Sequence, residues 1–262
     1  YQWRVAKHWC VLCLCVQALL LVGGVNSIAD GVMQQPITLS AGKFLTIVSC
    51  FLLPALSWFT IKPYFLRLQQ AVTTKREYLR IKFNAEIFDT LLKKQKRITA
   101  PVVNLGIDLG NAGATHTLIK VCNPYCGPCA SAHPKIEKLL EDHDNLRIKI
   151  IFTAPDDDNN IKSKPVKHLL AITEKQNEQL TKKALDDWYL AEKKDYDVFA
   201  AKYPMPARRG GNGELLRQGP KLAAMSKWCE EMNVKATPTF FLDGNQLPDA
   251  YSIEDLEYFL LE

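Results

Sequence analysis

Hydrophobic and polar positions divide the chain into stretches of different character. Trp9 to Val25 is apolar apart from Gln17 and closes on Gly23-Gly24, which is at the short limit for a membrane span. Phe44 to Ile61 is a second apolar run without a charge. Pro54 lies inside it, as a membrane helix tolerates when neighbours or Ser57 satisfy the freed carbonyl. Trp58 and Tyr64 are placed as interfacial anchors near its end. From Pro63 to Arg97 the pattern turns polar and basic. Leu66, Tyr78, Ile81, Phe83, Ile87, Phe88, Leu91 and Leu92 recur there as the apolar face of one or two amphipathic helices. Beyond Pro101, short apolar runs bounded by turn residues read as strands: Val102 to Leu109, Thr115 to Val121, Arg147 to Thr153 and Thr239 to Leu242. Helical patterns cover Ala130 to Leu140, Lys164 to Tyr203, Lys221 to Met232 and Ile253 to Leu260. The reading is therefore two transmembrane helices over 1–62, a basic amphipathic linker over 63–100, and an α/β domain over 101–262. A helical insertion is expected within that domain at about 160–235.

Composition changes this picture little. A chain of 262 residues can bury one sizeable core and carry an appendage. The net charge of +5 suits an anionic lipid surface, and no basic–aromatic motif for nucleic acid accompanies it. The eight cysteines are too scattered for a disulfide-stapled fold. Four of them instead form two C-x-x-C pairs, which points to exchange chemistry. The chain does not begin with methionine, as expected of a fragment or processed product.

The chemistry centres on Cys126-Gly127-Pro128-Cys129, which leaves one predicted strand and opens a helix. Cys126 then lies over unpaired helical N–H groups, whose partial positive charge favours thiolate. Cys129 sits about one turn further in and can attack a mixed disulfide formed on Cys126. Cys126 is thus the attacking thiol and Cys129 the resolving one. A single C-x-x-C without a second ligand pair makes a poor zinc site. Pro134 falls where it would kink the helix beyond the pair, and Ala236-Thr237-Pro238-Thr239 leads into the last long strand. His133, four residues after Cys129, reads as a satisfied buried histidine or a proton partner of the thiol. Cys122 and Cys229 read as buried packing residues. Asp156-Asp157-Asp158-Asn159-Asn160 lacks the spacing and closing Glu of a calcium loop.

These residues resemble the thioredoxin superfamily, and more narrowly its DsbA-like branch with an all-helical insertion. The resemblance implies a thioredoxin-like fold and a cis Thr237-Pro238 bond facing the pair. Thr237, Pro238, Gly127 and Pro128 would then receive a protein or peptide thiol substrate. Trp9-Cys10-Val11-Leu12-Cys13, opening the first apolar run, resembles the quinone-reducing pair of the vitamin K epoxide reductase family. Bacterial members of that family are often fused to a thioredoxin-like domain in this order. The likeness covers the last two helices of the membrane fold and implies a quinone cofactor at Cys10 and Cys13. Cys15 and Cys50 read as helix packing. A signal peptide is the alternative for the first run, with Arg4 and Lys7 before it and Ser27-Ile28-Ala29 as a cleavage site.

Two spans would return the chain to its starting side, placing the α/β domain on the same face as Cys10 and Cys13. Arg4, Lys7, Lys62, Arg67, Lys75 and Arg76 crowd that side, which by charge alone favours the cytoplasm. The family likeness favours the periplasmic face of a bacterial inner membrane, where disulfides persist. Gly127-Pro128 matches reducing thioredoxins, near roughly −270 mV against about −120 mV for oxidising DsbA. With no histidine between the cysteines, the Cys126 thiol is expected nearer ~7 than ~3.5. A quinone-linked pair would still hold the dithiol oxidised by withdrawing electrons. The expected flow is from substrate thiols to Cys126–Cys129, then Cys10–Cys13, then quinone. A membrane-tethered reductase or isomerase, and an anchored client-binding module without redox chemistry, are the alternatives.

Overall fold

The computed structural model describes residues 18, 21–23, 25, 41–205 and 213–260. The chain divides into two compact units, Tyr1–Thr74 and Lys75–Glu262. Helix α1 (Ala41–Lys82) begins in the first and ends in the second. It runs uninterrupted where the sequence reading separates a span from a linker. The stretch from Thr60 to Lys82 holds no glycine and is rich in Leu, Lys, Arg and Gln, all good helix formers. Ser57 Oγ donates to Leu53 O at 2.8 Å, one turn back but not to the carbonyl that Pro54 frees. Among the described residues, no helix is long and apolar enough to cross a membrane. Cys10 and Cys13, with most of the first apolar run, lie outside the described residues.

The second unit is built on five strands. They are β1 (Ile107–Gly110), β2 (His116–Cys122), β3 (Leu146–Phe152), β4 (Thr239–Leu242) and β5 (Asn245–Gln246), in sheet order β1-β3-β2-β4-β5. β2 and β3 are parallel, while β1, β4 and β5 join antiparallel. β1 is shorter than the apolar run from Val102 predicts. Asn104 and Gly106 have φ of 60° and 69°, and a Cβ on Gly106 would sit 1.9 Å from Ile150 O. The chain turns there before it can pair. The central strands are buried along most of their length, as expected when helices cover both faces of a parallel pair.

Helix α2 (Ala85–Lys93) buries Phe88 and Leu92 of the predicted apolar face, while Ile87, and Leu66, Tyr78 and Ile81 of α1, are exposed. The Phe88 ring stacks on Phe259 at 3.9 Å between centroids. Helix α3 (Gly127–Asp142) follows β2 and contains Pro134. The predicted helical stretch from Lys164 to Tyr203 is three helices: α4 (Ser163–Thr173), α5 (Glu178–Tyr189) and α6 (Tyr196–Lys202). Side-chain caps set the breaks. Asn177 accepts from Leu180 N, and Asp195 accepts from Asp197 N and Val198 N, which starts a new helix at each point. Helices α7 (Gly213–Leu216) and α8 (Gly219–Glu231) complete the insertion. The closing element Ile253–Tyr258 is a 3₁₀ helix where the periodicity suggests an α-helix.

Candidate active site

The pair sits where β2 gives way to α3. Asn123 organises the turn: its side chain accepts from Tyr125 N at 3.0 Å and its carbonyl from Cys126 N at 3.1 Å. Trp188 of α5 reaches across and donates Nε1–H to Pro124 O at 2.9 Å. The insertion thus fixes the loop that delivers Cys126 to the helix N-terminus. Cys126 is the extended N-cap residue of α3, partly exposed, while Cys129 is fully buried and both are free thiols. Gly127 and Pro128 are exposed between them.

The proline loop faces the pair as expected. Thr237-Pro238 is cis, and the Cys126 thiol donates to Thr237 O at 3.2 Å. Burial works against ionising Cys126. Hydrogen bonds with the Thr237 side chain and with the backbone and side chain of Cys129 outweigh it, and its pKa falls below the ordinary thiol value. Burial, reinforced by the neighbouring Cys122, instead pushes the Cys129 thiol up to about 12. The two sulfurs are therefore divided in role: one accessible and acidic, one sealed and protonated. Cys122 and Cys229 are buried, as the sequence reading places them, with Tyr189 Oη donating to Cys122 Sγ at 3.1 Å.

Several residues of this neighbourhood escape the sequence reading. Lys120 on β2 has no exposed surface. Its Nζ donates to Cys129 O at 3.3 Å and lies 4.7 Å from the centre of the Tyr189 ring. The available signal was a lone charge inside the short apolar run Thr115 to Val121. His133 is buried and bonds through Nε2 to Asp186 Oδ1 of α5 at 2.9 Å, with Glu137 Oε1 at 3.6 Å. Burial, with Lys120 adding to it, drops the His133 pKa to about 4. Glu137 rises to about 8 through burial and its contact with Asp186. The spacing of Cys129, His133 and Glu137 marks one helix stripe, but nothing in sequence brings Asp186 to it. In the acidic loop, Lys167 Nζ pairs with Asp156 at 2.7 Å and Asp158 at 2.8 Å, so those carboxylates already hold a cation.

A sheet in this order, a dithiol opening the helix after a central strand, and a cis-proline loop against the outer sulfur define a thioredoxin-like α/β fold with a helical insertion. The family model described as Thioredoxin matches residues 104–261, and the chain belongs to that family. Three solved structures illustrate the likeness. Proteus mirabilis ScsC in a transitional conformation is 14% identical, with 85% of this chain and 95% of that one covered at a TM-score of 0.47. The thiol-disulfide exchange protein alpha-DsbA2 from Wolbachia pipientis is 13% identical, covering 69% and 95% at 0.46. Oxidised BdbD from Bacillus subtilis is 11% identical, covering 63% and 96% at 0.45. Comparison with curated proteins gave no match.

Proposed function

We propose that the chain is a membrane-bound thiol–disulfide oxidoreductase that oxidises protein or peptide thiols through Cys126 and Cys129. The observation that carries this reading is the partly exposed Cys126 sulfur, 3.2 Å from Thr237 O on the cis-proline loop, with Cys129 sealed behind it. In the oxidised form, a client thiolate attacks the Cys126 sulfur, forming a mixed disulfide and releasing Cys129 as a thiol. A second client thiolate then attacks the client sulfur, which closes the client disulfide and leaves Cys126 reduced. Thr237, Pro238, Gly127 and Pro128 frame the surface where the client strand would lie.

Reoxidation is assigned to Cys10 and Cys13 and a quinone, at the periplasmic face of a bacterial inner membrane. The quinone would supply a two-electron sink. The exposed apolar side chains Phe44, Leu45, Leu52 and Leu53 of α1 suit its hydrocarbon tail and a lipid surface; Cys10 and Cys13, which would face its head group, lie outside the described residues. The uncharged run Phe44 to Ile61 within α1 supports the membrane attachment.

The test uses full-length protein in quinone-containing vesicles with a reduced, unfolded client. Wild type should form client disulfides and reduce quinone over many turnovers. Cys126→Ser should lose both activities, and Cys10→Ser should stop after the first equivalent. Client oxidation by Cys126→Ser at the wild-type rate sinks the exchange reading. Wild type that stops after one equivalent sinks the quinone link alone.

A further inference from the structure

Several partly buried carboxylates of the lobe meet a lysine or arginine. Asp108 pairs with Arg147 and Lys149, Asp156 with Lys167, Asp187 with Lys202 and Asp255 with Lys82. Glu137 of α3 and Asp186 of α5 differ. Their side chains are 21% and 36% exposed, and among the described residues no lysine or arginine pairs with either. Lys182, one turn before Asp186, meets Glu178 at 3.1 Å, and Lys120 turns its Nζ to Cys129 O. Glu141, one turn beyond Glu137, adds further negative charge. Two carboxylates that face one another in a half-closed cleft call for a shared positive charge, either a proton or a metal ion. What they share is the imidazole of His133, buried beneath them with its ring 5.2 Å from that of Tyr189.

The three side chains converge on one point. His133 Nε2 is 2.9 Å from Asp186 Oδ1 and 3.6 Å from Glu137 Oε1, and the three ligand atoms all lie within 4.8 Å of one another. Tetrahedral bonds to zinc of about 2.0–2.2 Å put ligand atoms roughly 3.3 Å apart, so small side-chain adjustments close the cluster on an ion. One imidazole and two carboxylates also match the donors zinc takes, and their two negative charges neutralise it. We propose that His133, Glu137 and Asp186 form a zinc site joining α3 to α5. His133 forms the sealed base and binds through Nε2, with its proton on Nδ1. The two carboxylates form the rim, which admits the ion and leaves a fourth position for water. Without the ion, a proton retained on Glu137 relieves the same repulsion. His133 lies four residues after Cys129 on the dithiol helix. On the other side, α5 carries Trp188, which holds the loop before Cys126, and Tyr189, which bonds Cys122. An ion at this point fastens the insertion to the helix that bears the pair.

The inference stands apart from the exchange reading, because zinc binding is measured without a client. Untagged full-length protein is stripped with a chelator, and its Cys126–Cys129 pair is closed with diamide so that the dithiol cannot compete. On dialysis against zinc chloride, wild type should bind one ion per chain and melt at a higher temperature than the stripped protein. Cobalt(II) in place of zinc should give the visible absorption of a tetrahedral nitrogen–oxygen site, without sulfur-to-cobalt charge transfer. Glu137→Gln and Asp186→Asn keep the side-chain shape and remove the ligand charge. Each should weaken zinc binding about tenfold or more, while Asp89→Asn, at an exposed position of α2, should bind as wild type does. Melting curves of the stripped variants confirm that they fold. Stripped wild type that takes up no zinc from micromolar solution overturns the assignment. Glu137→Gln and Asp186→Asn variants that bind as tightly as wild type, or cobalt held through sulfur, overturn it equally.

Discussion

At the scale of single residues, the lobe stores its unusual protonation states beside the dithiol. His133 is held neutral, its pKa lowered to about 4 by burial, while Glu137 is held protonated, raised to about 8. The two pull stability in opposite directions. Between about pH 4 and 6.5 the unfolded chain binds the His133 proton and the folded lobe does not, so this group's contribution grows as pH rises. Between about pH 4.5 and 8 the folded lobe keeps the Glu137 proton that the unfolded chain has lost. Its contribution, fully present at low pH, is therefore lost as pH climbs through about 8. Above pH 6.5, of these two groups only Glu137 still titrates differentially. From pH 6.5 to 8 the melting temperature of the wild type should fall relative to that of Glu137→Gln, which supplies the hydrogen-bonding side chain without an ionisable proton. A difference between the two proteins that stays constant over this interval would contradict the assignment.

At the scale of elements, the insertion supports the site as well as covering the sheet. Helix α5 contributes Trp188 to the loop before Cys126, Tyr189 to Cys122 and Lys120, and Asp186 to His133. Trp188 is nearly fully buried, and its ring packs edge-on against Tyr125 at 5.5 Å. Trp188→Phe keeps the apolar body but leaves the Pro124 carbonyl without its donor. The expected cost is about 1–3 kcal/mol, measurable by denaturant unfolding, together with a change in the reactivity of Cys126 towards alkylating agents. No loss of stability would show that water replaces the indole N–H at no cost. The sequence offers Trp188, Tyr189, Leu190 and Phe199 as buried-face candidates in this helical stretch, and of these Leu190 is exposed. It gives no hint that this face meets the loop preceding the pair, because that contact joins residues 64 apart.

At the scale of the whole molecule, the division between units falls after Thr74 and not near residue 100, where the turn-rich strand pattern begins. The segment before Pro101 belongs to the lobe through specific contacts. Lys82 Nζ pairs with Asp255 at 2.7 Å, Tyr251 donates to Lys82 O at 2.9 Å, and Phe88 stacks on Phe259. A fragment of residues 75–262 should therefore unfold cooperatively and keep a reactive Cys126. A fragment of residues 101–262 should be less stable, since it exposes the face that α2 covers. Thermal unfolding of the two fragments decides this, and equal stability would remove α2 from the core.

Local chemistry in the sequence determined the dithiol at its strand–helix junction and the alternation of strands with helices, while the family likeness supplied the proline loop facing the pair. The first two are written in neighbouring residues: a thiol pair at a strand–helix junction, and short apolar runs bounded by turns. Tertiary structure alone decided which charges lie inside. Whether Lys120 has a carboxylate to pair with, or His133 an Asp186 to bond, depends on strands and helices distant in sequence meeting at one point. The cost of burying charge is set by that meeting and not by any local pattern.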